Sequence, residues 1–452
     1  MRIKKIIVPF VIVVLFGLTG AKVGALWPQH ETGDQVAPQT PLSSPSGVSV
    51  EVSPKILDPQ AKIFLERLEN RLFLNPDDFE ASLFKSLLLF QNGQLDVAIT
   101  ELQGLTARAP KFQLAHLILG DLLLARFDRV ESIGNNGLLK SVNSEQEHHI
   151  KQLQGEARAR LQGYLSLVDG VRIPQALLTL STKTCYALIV DKNKNRLYVY
   201  RNSGSSIPPE LVDDFYVVLG KQPGDKLREG DLKTPAGVYF VTSYLPDENL
   251  PPLYGSGAFP VNYPNEYDHR LKKSGKGIWL HGTDKSLYSR PPLDSEGCVV
   301  LTNKEFVRIR QYVEIGRTPV VICESVKWLT GREWLKQNIE VQAALESWRM
   351  NWENTDLTAY LGMYSDNFWT KKHNRKSWGI YKKQVFSGKR FQKIDLTDIS
   401  VLVYPDTTEK LPMVVANFNQ RYRSNNFNGN LRKRLYMVKE QGQWKVLYEG
   451  RQ

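Results

Sequence analysis

Tyr186-Ala187-Leu188-Ile189-Val190 and Arg196-Leu197-Tyr198-Val199-Tyr200 are two apolar runs, β-branched and aromatic in content, joined by the polar turn Asp191-Lys192-Asn193-Lys194-Asn195. Such a pattern specifies a β-hairpin. It opens a strand-rich region that begins at Thr184, with further strands expected at Phe215 to Leu219, Gly237 to Thr242, Gly277 to Leu280 and Pro319 to Cys323. Between the last two, Thr302 with Glu305 forms a capping box, and Phe306, Ile309 and Val313 share one face of a helix that Gly316 would end. Residues 171–326 are therefore expected to be a mainly β domain.

On either side the texture is helical. Residues 56–170 are rich in Leu, Ala, Gln, Glu and Arg. Asn75-Pro76 and Ala109-Pro110 stand 34 positions apart (110 − 76), and Ala81, Leu83, Leu88 and Leu89 fall in register with Ala115, Leu117, Leu122 and Leu123; the small residues Ser86 and Gly120 match too. This period resembles the tetratricopeptide repeat, whose stacked helix pairs offer a groove to a protein partner. An ordinary helical bundle with a chance period is the alternative. Residues 327–452 read as a helix over about Val326 to Met363 followed by short strands, Ile399 to Tyr404, Met413 to Phe418, Leu431 to Lys439 and Trp444 to Tyr448. That order resembles the nuclear-transport-factor-like cone, an α+β domain with Trp348, Trp352 and Phe368 as core, and no active site is assigned to it. The fold class is thus multidomain α+β.

Arg2, Lys4 and Lys5 precede an apolar run from Ile6 to about Ala21, and Val23-Gly24-Ala25 supplies small residues for cleavage. This is the layout of an export signal over residues 1–27. The alternative is an uncleaved membrane anchor, although the run is short against the ~20 residues of a comfortable span. Pro, Ser, Gly and Thr then dominate residues 28–55, a flexible linker. The working part is expected in the periplasm or cell envelope, tethered to the inner membrane if the anchor is retained.

At 452 residues the chain exceeds one core, and 42% hydrophobic with 23% charged residues is ordinary for folded protein. The net charge of +12 is spread in short runs such as Arg432-Lys433-Arg434. No basic helix or finger motif accompanies it, so nucleic acid is not an expected partner. Cys185, Cys298 and Cys323 are the three cysteines. An odd count leaves at least one free thiol in an exported monomer, and whether Cys185 pairs with Cys323 stays open. There is no C-x-x-C or H-x-x-H pair, so no metal site is expected.

The chemistry concentrates at His281-Gly282 and Ser295-Glu296-Gly297-Cys298, with 17 positions from His to Cys (298 − 281). A strand ending at His281 and a Gly-bracketed turn ending at Cys298 would meet at one rim. A thiol beside an imidazole can perform acyl transfer, the imidazole holding the proton for the leaving amine. Gly297 allows a tight turn in which the Cys298 N–H and a neighbour face a developing oxyanion, and Ser295 shapes that turn. No Asp or Asn is evident to orient the imidazole, which leaves the Gly282 carbonyl as its acceptor.

These residues resemble the YkuD-type L,D-transpeptidase family, whose signature is HG, a gap, then S-x-G-C. The likeness extends to Arg228-Glu229-Gly230-Asp231, Thr234-Pro235-Ala236-Gly237 and Tyr263-Pro264-Asn265 with Asp268, elements similar to the YafK-like branch and to L,D-carboxypeptidases that carry a C-terminal cone. The resemblance implies attack on the bond between meso-diaminopimelate and D-alanine in a peptidoglycan stem peptide, with Cys298 as nucleophile, His281 as base and no cofactor. Arg228, Asp231, Tyr263 and Asn265 become candidate substrate-binding residues. An amine acceptor would give transpeptidation; water would give an L,D-carboxypeptidase or amidase. A non-catalytic wall-binding scaffold is the remaining alternative. Two positions depart from the family pattern: Glu296 stands where His is frequent, and Val300 where Arg is frequent. Without that Arg, substrate grip would fall to another base such as Arg228.

Overall fold

The computed structural model describes residues 59–127, 130, 132–134, 143–165, 173–204, 206–406 and 411–452. The expected export signal and linker, residues 1–27 and 28–55, lie outside them. Among the described residues no helix is long and apolar enough to cross a membrane. The chain divides into two units, Met1–Gln154 and Gly155–Gln452.

In the first unit α1 (Pro59–Leu74), α2 (Phe79–Gln91), α3 (Leu95–Arg108) and α4 (Gln113–Leu124) follow one another through short turns. Helix starts at Phe79 and Gln113, and helix ends at Leu74 and Arg108, are each 34 apart (113 − 79; 108 − 74), the spacing of the sequence period. Ala81 with Ala115 and Leu88 with Leu122 are buried in both copies, whereas Leu89 is buried and its counterpart Leu123 is exposed. The division between units falls within α5 (Ser144–Leu165).

The second unit is built on a five-stranded sheet in the order β5 (Glu210–Tyr216), β4 (Arg196–Arg201), β3 (Tyr186–Asp191), β12 (Pro319–Cys323), β7 (Gly237–Phe240). The expected hairpin is β3 and β4, paired from Tyr186–Arg201 to Asp191–Arg196 and turned by Asn195 in the left-handed region at φ 48°. Its run of apolar residues has a cause: the sheet is covered on both faces. Leu188, Val190, Leu197 and Val199 pack into one core, and Ala187, Ile189, Tyr198 and Tyr200 into another shared with the C-terminal sheet. Cys323 lies opposite Asp191 at one end of β3, and Cys185 precedes the other end. That is roughly 20 Å at the strand rise, so the two do not pair; all three cysteines are free thiols.

The C-terminal sheet runs β14 (Tyr364–Trp369), β18 (Gln443–Arg451), β17 (Asn428–Glu440), β16 (Met413–Ser424), β15 (Gln392–Tyr404) and, at its edge, β2 (Leu177–Thr179). Its second face packs on α8 (Gly331–Glu353), α9 (Leu357–Gly362) and α10 (Arg375–Ser387), with Trp348, Trp352 and Phe368 in that core as expected. The helix expected over 326–363 is in fact broken. β13 (Trp328–Leu329) pairs with β1 (Ile173–Pro174) before the Thr330–Glu333 capping box starts α8, and Thr355 at φ 57° separates α8 from α9. Likewise α7 (Asn303–Ile309) begins at the expected Thr302 cap but stops short of Gly316. A tighter turn follows because Tyr312 swings onto Tyr186 and donates its hydroxyl to Asp213, which takes Val313 out of the helix.

Candidate functional site

A small sheet of β8 (Ala258–Pro260), β9 (Trp279–His281) and β11 (Val299–Val300) carries the two residues singled out above. β9 and β11 run parallel, with Val299 opposite Leu280 and Val300 opposite His281. Side chains alternate, so Leu280 and Val299 point into the core, fully buried. Cys298, one residue before β11, falls level with Trp279 and on the same face as His281. Two positions of offset across adjacent strands put their Cα atoms on the order of 8 Å apart, a diagonal that side chains can bridge.

The turn into Cys298 is fixed from several sides. Gly297 has φ 124°, and a Cβ there would lie 2.6 Å from the Lys233 carbonyl oxygen; only glycine fits such a position. The Ser295 hydroxyl accepts the Gly297 N–H at 3.1 Å and donates to the Cys298 carbonyl at 2.7 Å. Gly297 N–H is thereby spent, which leaves the Cys298 N–H as the oxyanion donor this turn can offer. Gly282 is required by close approach: a Cβ would meet Asn303 Oδ1 at 2.3 Å.

His281 Nδ1 is 2.6 Å from the Gly282 carbonyl oxygen. A carbonyl only accepts, so Nδ1 carries the proton and Nε2 presents a lone pair. Burial pushes the imidazole down to about 4, opposed by the Gly282 bond and aided by the Arg290 cation. The Cys298 thiol is half-buried and points at the Gly277 carbonyl, 3.4 Å away. Burial pushes it up to about 11; the Trp279 N–H, Lys226 and Arg290 favour the thiolate, and Glu296 opposes it. At neutral pH the pair is therefore a neutral thiol beside a neutral base, not a preformed ion pair.

The other candidate residues are placed as follows. Asp231 accepts from Lys226 Nζ and from the N–H groups of Leu227, Arg228 and Lys233. Burial alone would raise its carboxyl, but those donors hold it down to about 2. Tyr263 is buried and donates to the Ser274 carbonyl, while Asn265 caps α6 (Glu266–Arg270) in a capping box with Asp268 and donates to Val238 and Tyr404. The polar atoms of Asp231, Tyr263 and Asn265 thus serve the fold. Asp231 does so by bracing the loop whose Lys233 carbonyl lies against Gly297. Arg228 gives its backbone N–H to Asp231 and exposes its side chain.

Residues that the sequence did not single out complete the site. The Tyr254 ring stands edge-on to His281 at 4.9 Å and tilted on Trp279 at 4.9 Å, forming an aromatic wall. Asn303, the first residue of α7, accepts from Ser256 N–H and donates to the Thr283 carbonyl, tying the loop after Tyr254 to the segment after His281. Only the Gly282 requirement hints at Asn303 from sequence.

Residues 186–322 match the L,D-transpeptidase catalytic domain of the YkuD family, and residues 340–450 match the Cds6 C-terminal NTF2-like domain. Among solved structures, Bd1075 of Bdellovibrio bacteriovorus is 30% identical with a TM-score of 0.55, over 62% of this chain and 98% of that one. Pgp2 of Campylobacter jejuni, described as a helical cell shape determining protein, is 28% identical with a TM-score of 0.53, over 61% of this chain and 95% of that one. YafK of Escherichia coli (strain K12) is 29% identical over 121 residues, 23% of this chain. The chain spans 44% of the length of that curated relative.

Proposed function

This chain belongs to the YkuD-type L,D-transpeptidase family, and we propose that it is an exported cysteine acyltransferase acting on peptidoglycan stem peptides through a thioester on Cys298. The reading is supported above all by the shared face of Cys298 and His281, with Nδ1 of the imidazole held by Gly282 so that Nε2 is free to take a proton. Cys298 Sγ turns from the Gly277 carbonyl toward Nε2 and attacks the carbonyl between meso-diaminopimelate and D-alanine. With the thiol near 11 and the imidazole near 4, the proton moves as the C–S bond forms rather than before it. The Cys298 N–H receives the oxyanion. Collapse breaks the C–N bond, and His281 hands the proton to the departing amine of D-alanine. An incoming amine, deprotonated by the same imidazole, then displaces Cys298; water in its place gives a trimmed stem.

Glu296, exposed beside the thiol, suits a substrate ammonium better than the inward position in which it would oppose ionisation further. Residues 1–27 act as export signal or anchor, 28–55 as linker, 56–170 as a repeat-like surface for a protein partner, 171–326 as the catalytic domain, and 327–452 as the appended cone. The site of action is the periplasm or cell envelope.

The test is incubation of the full chain with tetrapeptide muropeptides, with and without an amine acceptor, products being read by mass. Product without acceptor selects hydrolysis, and product only with acceptor selects transfer. Absence of any product, with Cys298→Ala identical to the unaltered chain, selects the scaffold.

A further inference from the structure

The last turns of α5 lie outside both matched segments and yet border the reaction centre. Glu156 Oε1 accepts from Arg160 Nε at 2.8 Å and from the Ser289 hydroxyl at 2.6 Å. Glu156 and Arg160 are 2% and 0% exposed. A buried ion pair of this kind is weak as a source of stability, and here its carboxylate also ties the helix to Ser289. Arg160 stacks 4.0 Å over the Tyr216 ring, and the Tyr216 hydroxyl donates to the Arg290 carbonyl at 3.0 Å. Tyr216, Val218 and Val300 form a small cluster on which Ala159 of the helix and Cys298 both pack. One helix thus holds the Ser289–Arg290 turn from two directions, beside the nucleophile.

The Arg290 guanidinium is itself oriented, Nε donating to Asp294 Oδ2 at 2.8 Å and Nη2 to the Asp294 carbonyl. Nη1 has no hydrogen-bond partner among the described residues. Arg290 is the cation that acts on both Cys298 and His281. Lys226 also reaches Cys298, but its side chain is 4% exposed and its ammonium is taken by Asp231 and the Arg228 carbonyl. Arg290 keeps 21% of its side chain exposed.

In the reaction proposed above, the residue that departs carries its carboxylate one carbon beyond the leaving nitrogen, so the carboxylate must lie beside both the attacking sulfur and the proton-shuttling imidazole. We propose that Arg290 binds this terminal carboxylate, and that Glu156 is the positioning residue that fixes the Ser289–Arg290 turn for it. This inference rests on the reading of Cys298 as nucleophile. It also assigns the role of carboxylate reader to a residue ten positions before Val300 (300 − 290).

The experiment compares a stem tetrapeptide ending in D-alanine with the same peptide ending in D-alaninamide. Binding to the full chain carrying Cys298→Ala is measured by calorimetry, and turnover is measured with Cys298 present. A charge-assisted bond predicts that the amide binds about tenfold or more weakly. Arg290→Gln abolishes that preference, and Arg290→Lys restores part of it. Glu156→Gln raises KM for the carboxylate peptide severalfold, leaves kcat near its starting value and leaves the amide unaffected. Ser289→Ala reproduces this should Glu156→Gln fail to fold, and Ser289→Thr retains the preference. Equal binding of acid and amide, or equal weakening of both by Arg290→Gln, overturns the inference while turnover of the tetrapeptide upholds the proposed function. Failure to bind or turn over either peptide removes both.

Discussion

His281 is 3% exposed, and its imidazole is held near 4 against an ordinary value of 6.5. Between those values the unfolded chain binds a proton at this residue that the native chain refuses, so stability rises with pH across the window and falls as the medium is acidified. The gap of 6.5 to about 4, at about 1.36 kcal/mol per pH unit, amounts to about 3 kcal/mol. That contribution is complete above pH 6.5 and gone below pH 4. His281→Gln keeps a polar side chain of similar reach and cannot be protonated. Urea unfolding of both chains from pH 7.5 to pH 4 should therefore show the unaltered protein losing about 3 kcal/mol more than the variant. Other groups titrate in the same range but cancel in the difference. Two-dimensional NMR of the imidazole supplies the microscopic value. A ring that titrates at or above 6.5, or unfolding curves that track each other at every pH, would refute the picture of a buried neutral base and indicate a thiolate–imidazolium pair instead.

The same neutral pair predicts that turnover is flat from about pH 5 to pH 8, with its acid limb near 4; an acid limb near 7 would contradict it. Gly297→Ala should cost roughly 1–3 kcal/mol of stability for its backbone conformation. Displacement of Cys298 by the clash with Lys233 should also lower kcat by about a hundredfold or more, which thermal unfolding and initial rates will separate. Ser295→Ala removes both bonds of the turn and should reduce kcat while destabilising the chain by about 1–3 kcal/mol; unchanged kinetics would show that the turn holds without it. Iodoacetamide at pH 7 should modify exposed Cys185 before Cys298 and leave buried Cys323 unmodified, as peptide mapping will report, with Cys298 labelling rising as pH approaches 11.

The hairpin and the strands of the central sheet were legible because they are covered on both faces, and an unbroken apolar run is the sequence trace of that environment. The paired motifs around His281 and Cys298 were legible because each is local: a strand end with glycine, and a glycine-bracketed turn. What escaped comes from segments that only the fold brings together. Tyr254, Asn303 and Arg290 stand in loops or at a helix start with no pattern of their own. Asp231, Tyr263 and Asn265 belong to recognisable blocks, but the bonds they make within the fold join segments that sequence does not pair. Helix α10 was missed for a different reason. Its buried stripe is Trp378, Lys382 and Phe386, and a lysine in the middle of an apolar face conceals the period. In the structure Lys382 Nζ lies over the rings of Trp352, Tyr360 and Trp378 at 4.4 to 5.0 Å, and burial pushes its ammonium down to about 7. Strand ends in the C-terminal sheet were clipped where polar residues occupy the ladder, as at Asp395 to Asp398 in β15, beside a register shift after Thr397.

The most direct examination of the whole account is intact-protein mass spectrometry of the full chain quenched in acid seconds after mixing with a tetrapeptide stem. The expected product is a covalent adduct of the stem lacking its terminal D-alanine, mapped to Cys298 and cleaved by hydroxylamine as a thioester. Release of D-alanine at an undiminished rate by the Cys298→Ala chain, with no adduct on any residue, would contradict it.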